Sequence, residues 1–179
     1  MTTTTATQVT LHTERFILRP VRMSDVTRIE HYAADKRLAV QTPSIPHPLP
    51  PGVVASFIER ALAPERDEDI WVVDGGGEED GSEVMAVIRL QRLDRNQSEI
   101  GYWVAPPFWN THVASDAVHA LIDGNPHNNA TMFASVFHDN PASAKVLTNA
   151  GFAYLGDAET FCLARDATVP TWTYSLKLR

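Results

Sequence analysis

The chain holds one cysteine, Cys162, among 179 residues, which excludes an internal disulfide and any cysteine-rich metal site. It has no apolar run near the roughly 20 residues that span a bilayer. Positive charge is not in excess either: the net charge is −7 with His neutral, so neither nucleic acid nor membrane is expected as a partner. Met1 to Thr10 is Thr-rich and lacks the basic and apolar regions of a secretory leader. It reads as a frayed tail, residues 1–10, and a cytoplasmic location is expected. No internal repeat or linker divides the remainder, so 11–179 are expected to form a single domain. Hydrophobic residues make up 44% and charged residues 21%, the balance of an ordinary globular protein. Cys162 is expected as a half-buried strand residue. The longest charge run is acidic, Glu78, Glu79 and Asp80 followed by Glu83. The glycine-rich stretch around it, Gly75 to Gly81, reads as a solvated hairpin loop.

Periodicity gives the order of elements. Leu11 to Pro20 has the content of a first strand, and Ser24 is placed to cap a helix reaching about Leu38. Thr42 to Pro51 carries too many prolines for helix or central strand and is expected as a stiff loop. A helix follows from about Val53 to Ala63, then strands over Ile70 to Val73, Val84 to Leu93 and Ser98 to Val104. Along the last of these, Glu99, Gly101 and Trp103 alternate with Ile100, Tyr102 and Val104. A helix over Val113 to Ile122, a strand over Thr131 to Phe137, a further helix, and strands over Phe152 to Leu155 and Trp172 to Leu178 complete the chain. The order β, α, α, β, β, β, α, β, α, β, β predicts an α/β (α+β) fold: a mixed sheet with helices on both faces.

The chemistry-bearing stretch is N-P-A-S-A-K-V-L-T-N-A-G-F, Asn140 to Phe152. Asn140 is a good N-cap, Pro141 suits the first helical position and Gly151 a left-handed stop. Ser143 and the Asn140 amide therefore sit beside unpaired backbone N–H groups at a strand end, where α/β proteins hold ligands.

Three segments together resemble the GNAT superfamily of N-acetyltransferases, in the branch of the ribosomal-protein alanine acetyltransferases RimJ and RimL. They are T-E-R-F-I-L-R-P (Thr13 to Pro20), E-I-G-Y-W-V with the Pro106 to Trp109 segment and A-S-D-A-V (Glu99 to Val118), and the N-x-x-S-x-x-x-L-x-x-x-G-F pattern of Asn140, Ser143, Leu147, Gly151 and Phe152. The resemblance implies a mostly antiparallel sheet of six to seven strands with splayed parallel central strands, Glu99 to Val104 and Thr131 to Phe137. It implies acetyl-CoA as cosubstrate, transferred to a primary amine of a small molecule or protein N-terminus. The backbone near Trp103 and Val104 and the Asn140 side chain would hold the pantetheine arm. Glu99, beside a glycine that leaves room, is the candidate base, and Ser143 the candidate proton donor near sulfur. Each has a plainer reading: Glu99 as an ion-pair partner of Arg89 or Arg92, Asn140 as a helix cap, Ser143 as polar surface, Tyr102 and Trp103 as core.

The family's phosphate loop usually reads W-G-x-G-x-A, with glycines letting N–H groups close on the CoA pyrophosphate. Here the positions are Trp109, Asn110, Thr111, His112, Val113 and Ala114. Both glycines are replaced. Asn110 tolerates left-handed geometry, whereas His112 puts an imidazole where the phosphate approaches. Either His112 turns out and bonds the phosphate, or the chain keeps the fold as a non-catalytic binding or regulatory module. Ala86 and Asn149 also depart from the family's glycine and lysine without removing a needed group.

Other chemistries lack support. Ser115, Asp116 and His119 lie on one helix with no G-x-S-x-G elbow. His112 and His119 would be about 10.5 Å apart along a helix, too far for a shared metal ion, and no metal site is expected. The exposed aromatic and proline surface around Pro106 to Trp109 is a candidate homodimer contact.

Overall fold

In the computed structural model, which describes residues 7–76 and 83–178, eight strands form one sheet in the order β1-β2-β3-β4-β5-β6-β8-β7. Most of the Thr-rich start and the acidic centre of the glycine loop lie outside the described residues. The strands are β1 Leu11–His12, β2 Ile17–Pro20, β3 Glu68–Asp74, β4 Val84–Leu93, β5 Gln97–Val104, β6 Thr131–Phe137, β7 Ala153–Cys162 and β8 Ala167–Lys177. The helices are α1 Val26–Ala33, α2 Lys36–Ala39, α3 Val53–Ala61, α4 Val113–Gly124 and α5 Pro141–Asn149. Every neighbouring pair is antiparallel except β5 and β6.

Alternation sorts side chains onto the two faces. Leu18, Ile88, Leu90, Ile100, Met132 and Ala134 meet α4 and α5 through Val118, Leu121, Ala144 and Leu147. Ile70, Val72 and Val87 on the opposite face meet α1 and α3 through Ile29, Ala33, Val54 and Ile58. Helices thus cover both faces, and the strands between them are buried on both sides.

Three differences from the expected elements have local causes. Thr13 folds its hydroxyl over the Phe16 N–H (3.1 Å) while its N–H donates to the Phe16 carbonyl (2.9 Å), so Leu11–Pro20 is a hairpin and not one strand. That adds β1 and brings the count to eight. The first helix breaks at Asp35, whose carboxylate accepts the Arg37 N–H at 2.9 Å and caps α2 afresh. β8 begins before Pro170, whose position lies past Phe137, the last β6 residue to pair, so the missing N–H costs no ladder bond. Gly151 stops α5 at φ 101°, as its sequence position predicts. Cys162 is fully buried, not half-buried.

Candidate active site

The parallel pairing of β5 and β6 runs from Gln97–Thr131 to Ile100–Ala134 and then stops. Beyond it, β5 stays with β4 to Val104 and β6 stays with β8 to Phe137. The two strands splay, as the resemblance implies. The Ala105 N–H donates to the Met85 carbonyl, and ladder alternation then commits the Trp103 N–H and C=O to Val87 on β4. The backbone groups turned into the gap are those of Tyr102 and Val104. One is already engaged: the Val104 carbonyl accepts the Trp109 indole N–H at 2.7 Å.

A cavity of about 910 Å³ occupies the gap and reaches both faces of the sheet, large enough for two substrates side by side. All eleven residues singled out from sequence border it: Glu99, Trp103, Val104, Trp109, Asn110, Thr111, His112, Val113, Ala114, Asn140 and Ser143.

On the α4–α5 side, Tyr102 reaches across to α5. Its hydroxyl lies 2.8 Å from the Ser143 hydroxyl and 3.3 Å from the Ser143 carbonyl. Burial pushes the Tyr102 phenol up to about 12, the Ser143 hydrogen bond opposing only part of that shift, so the phenol keeps its proton at neutral pH. The sequence alone assigns Tyr102 to the core, because spacing cannot reveal a partner 41 positions away. Asn140 caps α5, its carbonyl oxygen accepting the Ser143 N–H at 3.3 Å, which leaves its amide NH₂ as the donor at the cavity wall.

The loop between β5 and α4 holds two non-glycine residues in left-handed backbone. Asn110 has φ 61° and His112 φ 64°, both in the left-handed region that favours glycine. His112 is exposed and occupies the N-cap of α4 without a side-chain capping bond. The first N–H groups of α4 are therefore free to meet an anion. Thr111 donates its hydroxyl to the Phe108 carbonyl and pins the turn. Phe108 packs on the core and Trp109 sits under the Arg37 guanidinium, so of the four residues expected as a dimer contact, Pro106 to Trp109, Pro107 is the exposed one. Among the described residues the most exposed large apolar side chains are Tyr154, Leu155, Phe161 and Leu163 on and after β7.

On the α1–α3 side stands Glu99, half-buried, with the Arg89 guanidinium 3.8 Å away. Arg89 also holds Glu68 at 3.1 Å, whereas Arg92 pairs with Asp69. The space expected beside Gly101 is filled: a Cβ there would lie 2.7 Å from Arg89 Nε. Gly101 makes room for an arginine, and the arginine steadies Glu99. The Gln41–Pro46 segment closes this side of the cavity. The β7–β8 hairpin holds it there, with the Leu163 N–H on the Pro43 carbonyl (3.0 Å), the Cys162 thiol on the Thr42 carbonyl (3.3 Å) and Arg165 Nε on the Val40 carbonyl (2.8 Å).

A domain model for the GNAT acetyltransferase domain matches residues 15–153. The chain belongs to the GNAT acetyltransferases. Solved structures share its fold at low identity. The ribosomal-protein-S5-alanine acetyltransferase from Vibrio fischeri is 21% identical with a TM-score of 0.75, covering 95% of this chain and 97% of that one. RimJ of Mycobacterium smegmatis, solved with CoA-disulfide, is 21% identical with a TM-score of 0.76 over 94% and 86%. Spermidine N-acetyltransferase from Vibrio cholerae, solved with CoA and spermine, is 13% identical with a TM-score of 0.77 over 93% and 97%. No curated protein sequence matches the chain. Among the described residues no group of three or more His, Cys, Asp or Glu is placed to hold a metal ion, and no helix is long and apolar enough to cross a membrane.

Proposed function

We propose that this GNAT domain, spanning 11–179, transfers an acetyl group from acetyl-CoA to a primary amine, either a small amine or a protein N-terminus. The observation that carries this reading is the placement of Glu99 and the Tyr102–Ser143 pair on opposite faces of the gap where β5 leaves β6. The residues present fit the cosubstrate: the Tyr102 backbone and the Val104 N–H offer a strand edge to a pantetheine arm, Asn140 offers an amide NH₂, and the left-handed turns at Asn110 and His112 aim uncapped N–H groups of α4 outward for a pyrophosphate. Acetyl-CoA would supply the activated acyl group.

Glu99 accepts, directly or through water, the proton that the amine loses as its nitrogen bonds to the acetyl carbon. Tyr102 returns a proton to sulfur as the carbon–sulfur bond breaks, and Ser143, hydrogen-bonded to the phenol, orients it or relays the proton. Positioning of two substrates in one gap supplies much of the remaining rate enhancement. The retained left-handed backbone at Asn110 and His112 favours a working phosphate loop over a fold that has shed its cosubstrate.

Calorimetric titration of the purified chain with acetyl-CoA, followed by amine-dependent thiol release, tests the proposal. Micromolar binding and turnover with some primary amine are expected. No binding by the natural chain, with binding gained in His112→Gly, would instead favour the non-catalytic module.

A further inference from the structure

The protein as a whole is acidic, yet its cavity is not. Glu99 is the only carboxylate among the described lining residues, against Arg60, Arg89 and Lys145. Arg89 is already engaged by Glu68 and Glu99, and Lys145 stands on α5, on the phosphate-loop side. Arg60 has no hydrogen bond or ion pair from its side chain among the described residues. It ends a stripe of α3, Val53, Phe57 and Arg60, at helical spacing along the cavity wall. Much of the rest of that wall is apolar, with Ile29, Ala33, Ile45, Leu49, Phe57 and Trp103 packing as one cluster, and its polar side chains, Gln41, Thr42 and Ser44, are uncharged.

From this charge pattern, and resting on the acetyl-transfer reading, we infer that the acceptor is a monoamine with an apolar body and one anionic group, held between Glu99 and Arg60. A polyamine is disfavoured on the same grounds. Each further ammonium would need its own acceptors in place of water, and beside the neutral Gln41, Thr42 and Ser44 this wall offers hydrocarbon and a second positive charge but no second carboxylate. An aromatic or branched body instead buries apolar area against Phe57 and Trp103, and its anion takes the guanidinium fork of Arg60. The net acidity of the chain, which weakly favours cationic acceptors at long range, is opposed at contact distance by the exposed Arg60 guanidinium, because a charge at contact outweighs distant, salt-screened ones.

The test compares acceptors that share one body: 4-(aminomethyl)benzoate, its phosphonate analogue and benzylamine, with spermidine as the polyamine. The full chain is assayed for thiol release from acetyl-CoA, and acceptor binding is measured in parallel by calorimetry. One or both anionic acceptors should lead in kcat/KM, the better of the two naming the anion. Arg60→Ala should raise the KM of that acceptor about threefold to fivefold more than that of benzylamine, with Arg60→Lys recovering part of the difference. A lead by spermidine, or an equal rise for charged and uncharged acceptors in Arg60→Ala, would overturn the inference while leaving acetyl transfer standing. Arg60-dependent binding of an anionic amine with no turnover of any amine would overturn acetyl transfer and support the charge assignment. Absence of both binding and turnover for the anionic amines would overturn the inference.

Discussion

The Tyr102 hydroxyl lies 2.8 Å from the Ser143 hydroxyl, joining β5 to the first turn of α5 across the point where the sheet opens. If this pair delivers the proton to sulfur, Tyr102→Phe should lower kcat by about 10²-fold with little change in acetyl-CoA affinity. Ser143→Ala should cost less, because the phenol keeps its proton, and the double variant should be no worse than Tyr102→Phe alone. Steady-state kinetics on the three variants check this; additive losses would mean that the two groups act separately.

His112 holds a left-handed φ of 64° that glycine adopts without strain. His112→Gly should raise stability by about 0.5–1 kcal/mol, the difference between relieved backbone strain and added chain entropy. Acetyl-CoA should bind more tightly in this variant as the imidazole is removed from the mouth of α4. Thermal melting and calorimetry give the two readouts; weaker binding would identify the imidazole as a phosphate ligand.

Gly101 cannot accept a side chain while Arg89 keeps its place, since the new Cβ would meet Nε at 2.7 Å. Gly101→Ala should displace Arg89 from Glu68 and Glu99, raise the acceptor KM and leave the acetyl-CoA dissociation constant within twofold. An unchanged acceptor KM would mean that Glu99 needs no such support.

Asp69 predicts how stability responds to acid. Its carboxyl is almost fully buried, and burial alone would raise its pKa. Hydrogen bonds from His127 and Arg66 and the positive charges of Arg92 and Arg66 overcome that and hold it at about 2, below the ordinary 3.8. The folded state therefore binds this proton less readily than the unfolded chain does. The contribution, about 2 kcal/mol, is fully present above pH ~4 and is lost as pH falls towards about 2. Denaturant melts across that range should show the loss in the natural chain, and Asp69→Asn should flatten it. An equal slope in both would assign the acid sensitivity elsewhere.

The sequence made α5 legible to within a residue, because Asn140, Pro141 and Gly151 mark both ends by local chemistry. The splay was implied by the family resemblance alone, not by periodicity. The sequence left β7 short because Asp157, Glu159 and Thr160 break the apolar pattern on a strand at the sheet's border, where most side chains are exposed. The last strand, expected from Trp172, begins at Ala167 because Pro170 lies past the end of β6 and is tolerated there. The site's hidden members, Tyr102 with Ser143 and Arg89 over Gly101, are pairings between distant segments. Spacing within one element carries no trace of them.

The cavity wall formed by Gln41–Pro46 is fastened to Cys162, Leu163 and Arg165, some 120 positions later, and Arg165 in turn grips Asp139 at 2.6 Å and 3.0 Å beside the Asn140 cap. These segments form one mechanical piece, so a change of loop length in either alters the register of the other. Selection for a new acceptor must therefore act on both together, and a designed chimaera that transplants the proline-rich loop has to carry the hairpin tip with it.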